Sequence, residues 1–225
     1  VLPSLPPNRL PSNRLMSGQF SPAFREELAA LMRWRRDVRR FRTTPVPADV
    51  LARSLDSFRL APSVGLSEPW RILRVETATA RDLCLQNFRD SNALALDGQD
   101  GTSAQVYSRL KLSGMAEAPT QLAVFCDTAT TKGRGLGAAT MPETRAYSVV
   151  GAITLFWLAL RAEGLGLGWV SILDPARLAR DLDVPKDWQF IAYLCIGWPE
   201  QEDTVPELER EGWETRSSAL QLELR

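Results

Sequence analysis

The segment from Tyr147 to Gly164 constrains the fold more than any other part of this chain, because it reads as a helix that is apolar on nearly every face. Such a helix must be buried, either at the centre of a large core or at an interface between subunits. Its most apolar stretch, Val149 to Leu160, is about twelve residues long, well short of the roughly twenty that span a bilayer. We therefore predict a helix buried in protein, and no membrane as a partner.

Shorter periodic segments surround this helix. Apolar residues that recur every three to four positions predict helices from Phe24 to Trp34 and from Ala48 to Phe58. Runs rich in apolar residues predict strands at Arg71–Val75, Gln121–Cys126, Trp169–Leu173 and Phe190–Trp198. Strands separated by helices in this way predict a layered α+β or α/β domain.

The remaining segments suggest how the chain is divided. Residues 1–19 are rich in Pro, Asn, Ser and Arg and lack the pattern of a secretory signal, so we expect a mobile arm. Residues 20–225 are expected to form a single domain that ends in a Pro- and Glu-rich tail over residues 200–225. Within it, residues 80–113 are polar and helix-competent with a break at Asp97–Gly101, which predicts a helical excursion that covers a site, or else a surface insertion.

Composition excludes several classes of function. Histidine is absent, which removes Ser-His-Asp and Cys-His nucleophiles, histidine metal sites and the commonest general base. Lys plus Arg and Asp plus Glu both number 27, so the net charge of zero gives no indication of nucleic acid as a partner. Cys84, Cys126 and Cys195 lack CxxC spacing, which argues against a disulfide framework or a zinc site and favours a reducing cytoplasm. We expect no metal, and chemistry that depends on carboxylates, hydroxyls or a cofactor.

The cluster Arg35-Arg36-Asp37-Val38-Arg39 places three guanidinium groups around one carboxylate. Guanidinium groups present planar forks of donors that suit phosphate oxygens, so the cluster is a candidate phosphate clamp. Asp37 would repel the same phosphate. It therefore either neutralises a neighbouring arginine or faces the reacting part of a ligand whose phosphate the arginines hold, unless the whole cluster is a solvated charged surface.

A glycine-rich run, Gly164-Leu165-Gly166-Leu167-Gly168-Trp169, invites comparison with dinucleotide-binding loops. It follows a helix and precedes a strand, the reverse of the order that places phosphate at a helix N-terminus. Two other interpretations remain. The run is a helix C-cap followed by a turn, or its glycines let the backbone approach a flat ligand, with Ser171 presented just beyond.

The chain resembles the nitroreductase flavoprotein superfamily, and within it the BluB branch of 5,6-dimethylbenzimidazole synthases. The resemblance is carried by RRDVR at 35–39, APSVGLSEPWR at 61–71, RLKLSGMAEAP at 109–119, MPETRAYSVVGAI at 141–153, RAEGLGLGWVSILDP at 161–175 and the tail around 206–216. The chain departs from ordinary nitroreductases at Asp37, where they tend to have serine, and at Leu66 and Glu68, where they have Asn and Gln. The BluB branch shares the aspartate.

This resemblance implies an α+β nitroreductase-like fold with a central mixed sheet flanked by helices, residues 80–113 as a lid, and a homodimer with FMN at the subunit interface. It also implies that reduced FMN is a substrate and not a reusable cofactor. The implied reaction is an O2-dependent fragmentation of reduced FMN to 5,6-dimethylbenzimidazole, the lower ligand of cobalamin, and erythrose 4-phosphate. A separate flavin reductase is the expected source of reduced FMN.

The same resemblance implies roles for individual residues. Asp37 and Ser171 are the implied catalytic residues, the first taking protons near the ribityl chain and the second donating a hydrogen bond to the flavin or its oxygen adduct. The implied flavin contacts are Arg35, Arg36, Asp37, Val38, Arg39, Ser63, Gly168, Ser171 and Arg216, with arginines at the phosphate and ribityl groups. Tyr107 and Lys111 are lid candidates.

Three alternatives stay open. The chain could be an NAD(P)H-dependent nitro or flavin reductase that keeps and cycles its FMN, or a non-catalytic flavin-binding protein. From spacing alone, Ser171 could be a hydroxyl satisfied by backbone within a buried strand.

Overall fold

The computed structural model describes residues 19–99 and 101–225, so nearly all of the expected N-terminal arm lies outside the described residues. The helices are α1 (Pro22–Trp34), α2 (Ala48–Leu55), α3 (Ala78–Asp97), α4 (Gly101–Arg109), α5 (Thr144–Ala162), α6 (Pro175–Asp181) and α7 (Glu207–Arg210). The strands are β1 (Trp70–Arg74), β2 (Thr120–Asp127), β3 (Gly166–Val170) and β4 (Trp188–Gly197). None of the described helices is both long and apolar enough to cross a bilayer.

The four strands form one sheet in the order β1-β2-β4-β3, and every neighbouring pair is antiparallel. The prediction of a mixed sheet is therefore wrong for the strands themselves. A parallel pairing does occur as an isolated bridge between Asp37 and Leu167, where the arginine cluster runs along the outer edge of β3. The sheet with its flanking helices is an α+β arrangement, one of the two layered classes that the sequence predicts.

Helix α5 covers one face of the sheet. Val149, Ile153 and Phe156 are fully buried against the strands, while Tyr147 and Val150 on the opposite stripe are 61% and 40% exposed. The sequence predicts that this helix is buried on nearly every face, and in the single chain only one side of α5 is buried. Its outer stripe is apolar and uncovered in the single chain.

A second buried cluster covers the other face of the sheet. It joins Phe125 and Tyr193 from the strands to Cys84 on α3 and Leu178 on α6. Both sheet faces are therefore covered, which explains why β2 is buried from Thr120 to Cys126 without alternation.

Two elements differ from the sequence prediction. Strand β3 begins at Gly166, so the glycine run is mostly strand and the predicted turn is wrong beyond Gly164. Gly164 itself has a φ of +83° just after α5, which confirms the C-cap interpretation for that residue. Helix α6 is not predicted from the sequence because it is only seven residues long, although Asp174 caps it and Pro175 is its first residue.

Candidate active site

The arginine cluster is held against the edge of β3 by its own backbone. The Val38 N–H donates to the Leu167 carbonyl at 3.0 Å. A Cβ on Gly168 would lie 2.1 Å from the Val38 oxygen, and one on Gly166 would lie 2.7 Å from Val38 Cγ2. These two strand glycines therefore make room for the cluster, and the close approach that the sequence suggested for a ligand is made by the chain itself.

Asp37 is fixed at both carboxylate oxygens. Its Oδ1 accepts from the Trp169 N–H at 2.9 Å, and its Oδ2 accepts from Arg39 Nε at 2.7 Å. Burial raises the pKa of Asp37, and the Arg39 charge and the Trp169 N–H oppose that rise. The side chain keeps 32% of its surface exposed, so a bound ligand can reach it. The ion pair that the sequence left as one alternative is therefore present, on a carboxylate that still faces outward in part.

Arg39 donates hydrogen bonds to the protein from two of its nitrogens, Nε and Nη1. Besides its bond to Asp37, its Nη1 donates to the Lys111 carbonyl at 3.1 Å, and only 12% of its side chain is exposed. It joins the arginine cluster to the segment that follows α4. In this arrangement Arg39 orients Asp37.

Arg35, Arg36 and Arg216 lie close enough together to repel one another. The Arg35 guanidinium stacks on the Trp157 ring at 4.4 Å from its centroid. Burial lowers the pKa of Arg35 and of Arg36, and the positive charge of Arg216 lowers both further. Repulsion among three cations is relieved by an anion, so this group suits a phosphate dianion.

The tail packs against the arginine cluster through polar contacts. Arg36 Nε donates to the Thr204 carbonyl at 2.7 Å, and Arg36 Nη2 donates to the same oxygen. Farther along, Arg40 pairs with Glu207 at 2.5 Å. The tail therefore fixes the orientation of Arg36 and brings the segment leading to Arg216 to the same edge of the sheet.

A small cavity of about 80 Å³ lies between the cluster and the tail. Its lining includes Arg36, Asp37, Arg39, Arg161, Glu202 and Glu207. Sites for small organic ligands usually enclose about 300–1,000 Å³. A nucleotide-sized ligand therefore does not fit inside this cavity.

Ser171 follows the last residue of β3 and is exposed. The interpretation of this hydroxyl as one satisfied within a buried strand is therefore wrong. Ser171 lies two residues beyond Trp169, whose N–H holds Asp37, so the two expected catalytic residues are at the same end of one strand edge.

Ser63 is placed elsewhere. Its Oγ accepts from the Glu68 N–H at 3.1 Å, and the adjacent Val64 N–H donates to Ser148 Oγ near the start of α5. Arg35 contacts Trp157, nine residues farther along the same helix, which corresponds to about 13 Å at roughly 1.5 Å per residue. A single chain therefore does not bring Ser63 to the arginine cluster.

The lid candidates have internal partners. Tyr107 is 8% exposed, donates to Asn92 Oδ1 at 2.9 Å and contacts the Trp213 ring. Lys111 Nζ pairs with Glu117. These contacts tie α4 and the following loop to α3 and the tail.

The contacts of Asp37 and Arg35 include residues that sequence reasoning missed. The Trp169 amide and the Trp157 ring come from elements far along the chain, and Trp157 sits in a helix that reads as uniformly apolar. Neither carries a local signal. In the described residues, no group of three or more Cys, Asp or Glu side chains is arranged to hold a metal ion.

The sequence of this chain is similar to those of known proteins. The model of the Nitroreductase family matches residues 32–198. A 5,6-dimethylbenzimidazole synthase of Rhodospirillum rubrum is 56% identical over 197 residues, covering 88% of this chain and 93% of the relative. A protein of the same description from Rhodobacter capsulatus is 46% identical over 195 residues, covering 87% of this chain and 94% of the relative.

Solved structures share the fold. An iodotyrosine deiodinase bound to FMN and 3-iodo-L-tyrosine superposes with a TM-score of 0.67 at 22% identity, covering 88% of this chain and 97% of that one. A nitroreductase-like protein of Bacillus cereus superposes with a TM-score of 0.60 at 17% identity, covering 86% and 91%. At such identities the likeness concerns the fold alone.

Proposed function

This chain belongs to the nitroreductase family, and we propose that it acts as a 5,6-dimethylbenzimidazole synthase. It takes reduced FMN and O2 as substrates and forms 5,6-dimethylbenzimidazole and erythrose 4-phosphate from the flavin. The observation that carries the proposal is the position of Asp37, a partly exposed carboxylate fixed to β3 directly beside three clustered arginines. Identity of 56% to a synthase supports the same activity.

The cationic group fits the phosphate of FMN. Asp37 only partly offsets the effect of Arg216 on Arg35, and Asp203 and Glu209 only partly offset the effect of Arg216 on Arg36. The tail holds the Arg36 guanidinium in place. Arg35 is further oriented by the Trp157 ring. With the phosphate held there, Asp37 on the edge of β3 would lie beside the ribityl chain.

Reduced flavin activates O2 by itself, so the protein has to bind, orient and shield the ring and to move protons. Asp37 accepts a proton from the ribityl chain through the exposed part of its carboxylate. Its raised pKa suits this role, because a base works best when its pKa lies near the working pH. Ser171, at the exposed end of β3, donates a hydrogen bond to the ring system.

A second copy of the chain completes the site. The Ser63 loop and the arginine cluster lie near opposite ends of α5, and the stripe of α5 with Tyr147 and Val150 is exposed. Two α5 helices packed antiparallel about a twofold axis would bury both stripes and bring the Ser63 loop of one copy toward the cluster of the other.

Val150→Glu is expected to convert the protein to a monomer and to weaken FMN binding, because it places a charge in this apolar contact. Analytical ultracentrifugation and titration of flavin fluorescence measure the two effects. Leu94→Glu is the matched control, since Leu94 is 74% exposed on α3, away from the stripe. A dimer that survives Val150→Glu, or dissociates equally with Leu94→Glu, contradicts this arrangement.

The activity itself is tested by mixing the purified protein with chemically reduced FMN in air and analysing the products by mass spectrometry. We expect 5,6-dimethylbenzimidazole to accumulate at the expense of FMN, and no product under nitrogen. Full recovery of oxidised FMN would reject the synthase. In that case steady NADPH consumption would indicate a cycling reductase, and its absence a flavin-binding protein.

A further inference from the structure

The loop from Ser171 to Asp174 carries the exposed serine between β3 and α6. Its inner end is held by a single side chain. Asn87 Nδ2 donates to the Asp174 carbonyl at 2.9 Å, and the Asp174 N–H donates to Asn87 Oδ1 at 2.8 Å. One amide thus satisfies both backbone groups of one residue, as a neighbouring strand would.

Asn87 lies in the middle of α3 and is fully buried. A buried amide is costly unless its donor and its acceptor are both satisfied, and here Asp174 satisfies both. Aspartate lacks the donor and leucine lacks both groups, so neither can make this pair of hydrogen bonds.

Asp174 links Asn87 both to helix α6, which follows it in the chain, and to the loop with Ser171, which precedes it. Its carboxylate caps α6 by accepting from the Ala176 and Arg177 N–H groups at 2.9 and 3.0 Å. Between Asp174 and Ser171, Leu173 packs into the cluster beneath α3. The loop that carries Ser171 is therefore held at Asp174 by its hydrogen bonds to Asn87, and at Leu173 by packing into the buried cluster.

We infer that Asn87 is a positioning residue for the reaction, which places the Ser171 hydroxyl by clamping the loop to α3. This inference rests on the proposed function, since it assigns a role through Ser171. It also couples the helical excursion to the site, because α3 is the first helix of the predicted lid. A displacement of about 1 Å at a reacting group can cost about 100-fold in rate, so a loose loop would still bind flavin yet misdirect the reaction.

A second polar contact between the same helices provides a matched control. Asp90, three residues along α3, pairs with Arg177 of α6 at 2.6 Å. It joins the two helices on the surface without touching the loop. Asp90→Asn therefore tests whether any weakening of the contact between α3 and α6 lowers the product yield, even when the loop itself is untouched.

The experiment measures how much 5,6-dimethylbenzimidazole forms per reduced FMN consumed. For Asn87→Leu and Asn87→Asp we expect flavin affinity within about twofold of the parent, and a product yield lower by about tenfold or more. The flavin that is not converted is expected back as oxidised FMN. Asp90→Asn is expected to keep the parental yield.

A double-mutant cycle separates positioning from general damage. If Asn87 acts through Ser171, adding Asn87→Leu to Ser171→Ala lowers the yield no further. The inference is overturned if the two substitutions lower the yield by the product of their separate effects, or if Asp90→Asn lowers it as much as Asn87→Leu.

Hydrogen exchange of the unmutated protein adds a measurement that needs no variant. The bonds from Asn87 predict that the Asp174 amide is protected, and rapid exchange there would also overturn the inference. Failure of the proposed function is distinguishable, since it shows as absence of product from the unmutated protein.

Discussion

Asp37→Asn is expected to abolish product formation while FMN still binds. Asparagine keeps the shape of the side chain and can still accept from the Trp169 N–H, but it loses the bond from Arg39 Nε. The Val38 N–H still donates to the Leu167 carbonyl, so the arginine cluster stays on β3. Asparagine cannot take up a proton at pH 7, and loss of a positioned general base typically costs about 10²–10⁴-fold in rate. Phosphate affinity should be unchanged or higher, because one negative charge beside the clamp is gone.

Single-turnover mixing with reduced FMN, with the product quantified by mass spectrometry, measures this loss, and flavin fluorescence measures binding. Asp90→Asn again serves as the control for removing an exposed carboxylate. A normal product yield from Asp37→Asn would exclude Asp37 as the base. Loss of binding together with activity would instead make Asp37 a structural anchor of the arginine cluster.

The pH profile gives an independent reading of the same residue. Burial raises the pKa of Asp37, so the protonated, inactive form persists to a higher pH than for an ordinary carboxyl group near pKa 4. Product formation should therefore fall as the pH is lowered through this raised pKa, at a pH where exposed carboxylates are still ionised. The residual activity of Asp37→Asn should not show this fall at low pH.

Gly168→Ala is expected to detach the arginine cluster from the sheet. The added Cβ would lie 2.1 Å from the Val38 oxygen, and Val38 cannot move aside locally because its N–H donates to the Leu167 carbonyl. Overpacking of this kind typically costs about 1–3 kcal/mol of stability. Loss of one charged hydrogen bond to phosphate costs about 1.5–3 kcal/mol, so we expect FMN affinity to fall by about tenfold or more.

Urea unfolding and flavin titration measure the two effects of Gly168→Ala. Gly98→Ala is the matched control, because its Cβ would meet its nearest neighbour, the Ala95 oxygen, at an ordinary 3.6 Å. That variant should match the parent in affinity. If Gly168→Ala keeps the FMN affinity and the stability of the parent, the arginine cluster does not need its close contact with β3 to bind FMN.

The sequence predicts the helices and strands that have a strong periodic pattern of apolar residues. It fails where the same residues are typical of two different kinds of local structure. The sequence locates helix α5 to within three residues at its start because its apolar run is long. It places strand β3 too late, since Gly166 and Gly168 are as typical of a turn as of a strand that another segment approaches closely.

For the candidate site, the sequence supplies the reactive groups without their partners. Resemblance to a family brought Asp37 and Ser171 together, and no spacing rule would have done so. The partner of Asp37 on β3 is 132 residues away, and that of Arg36 in the tail is 168 residues away. Contacts at such separations are set by the packing of the whole sheet and are not visible in any local pattern.

The contacts between the tail and the arginine cluster also bear on when the site forms during synthesis. Arg36 leaves the ribosome early, whereas its partner Thr204 is made only after the entire sheet. Pairings this far apart close late in folding, since the loop entropy has to be overcome first. A nascent chain that ends before residue 200 can thus form all four strands and seat Asp37 on β3, yet it lacks Arg216 and the support for Arg36. If Arg36 and Arg216 hold the flavin phosphate as proposed, we expect an incomplete chain to bind FMN only after the tail has emerged.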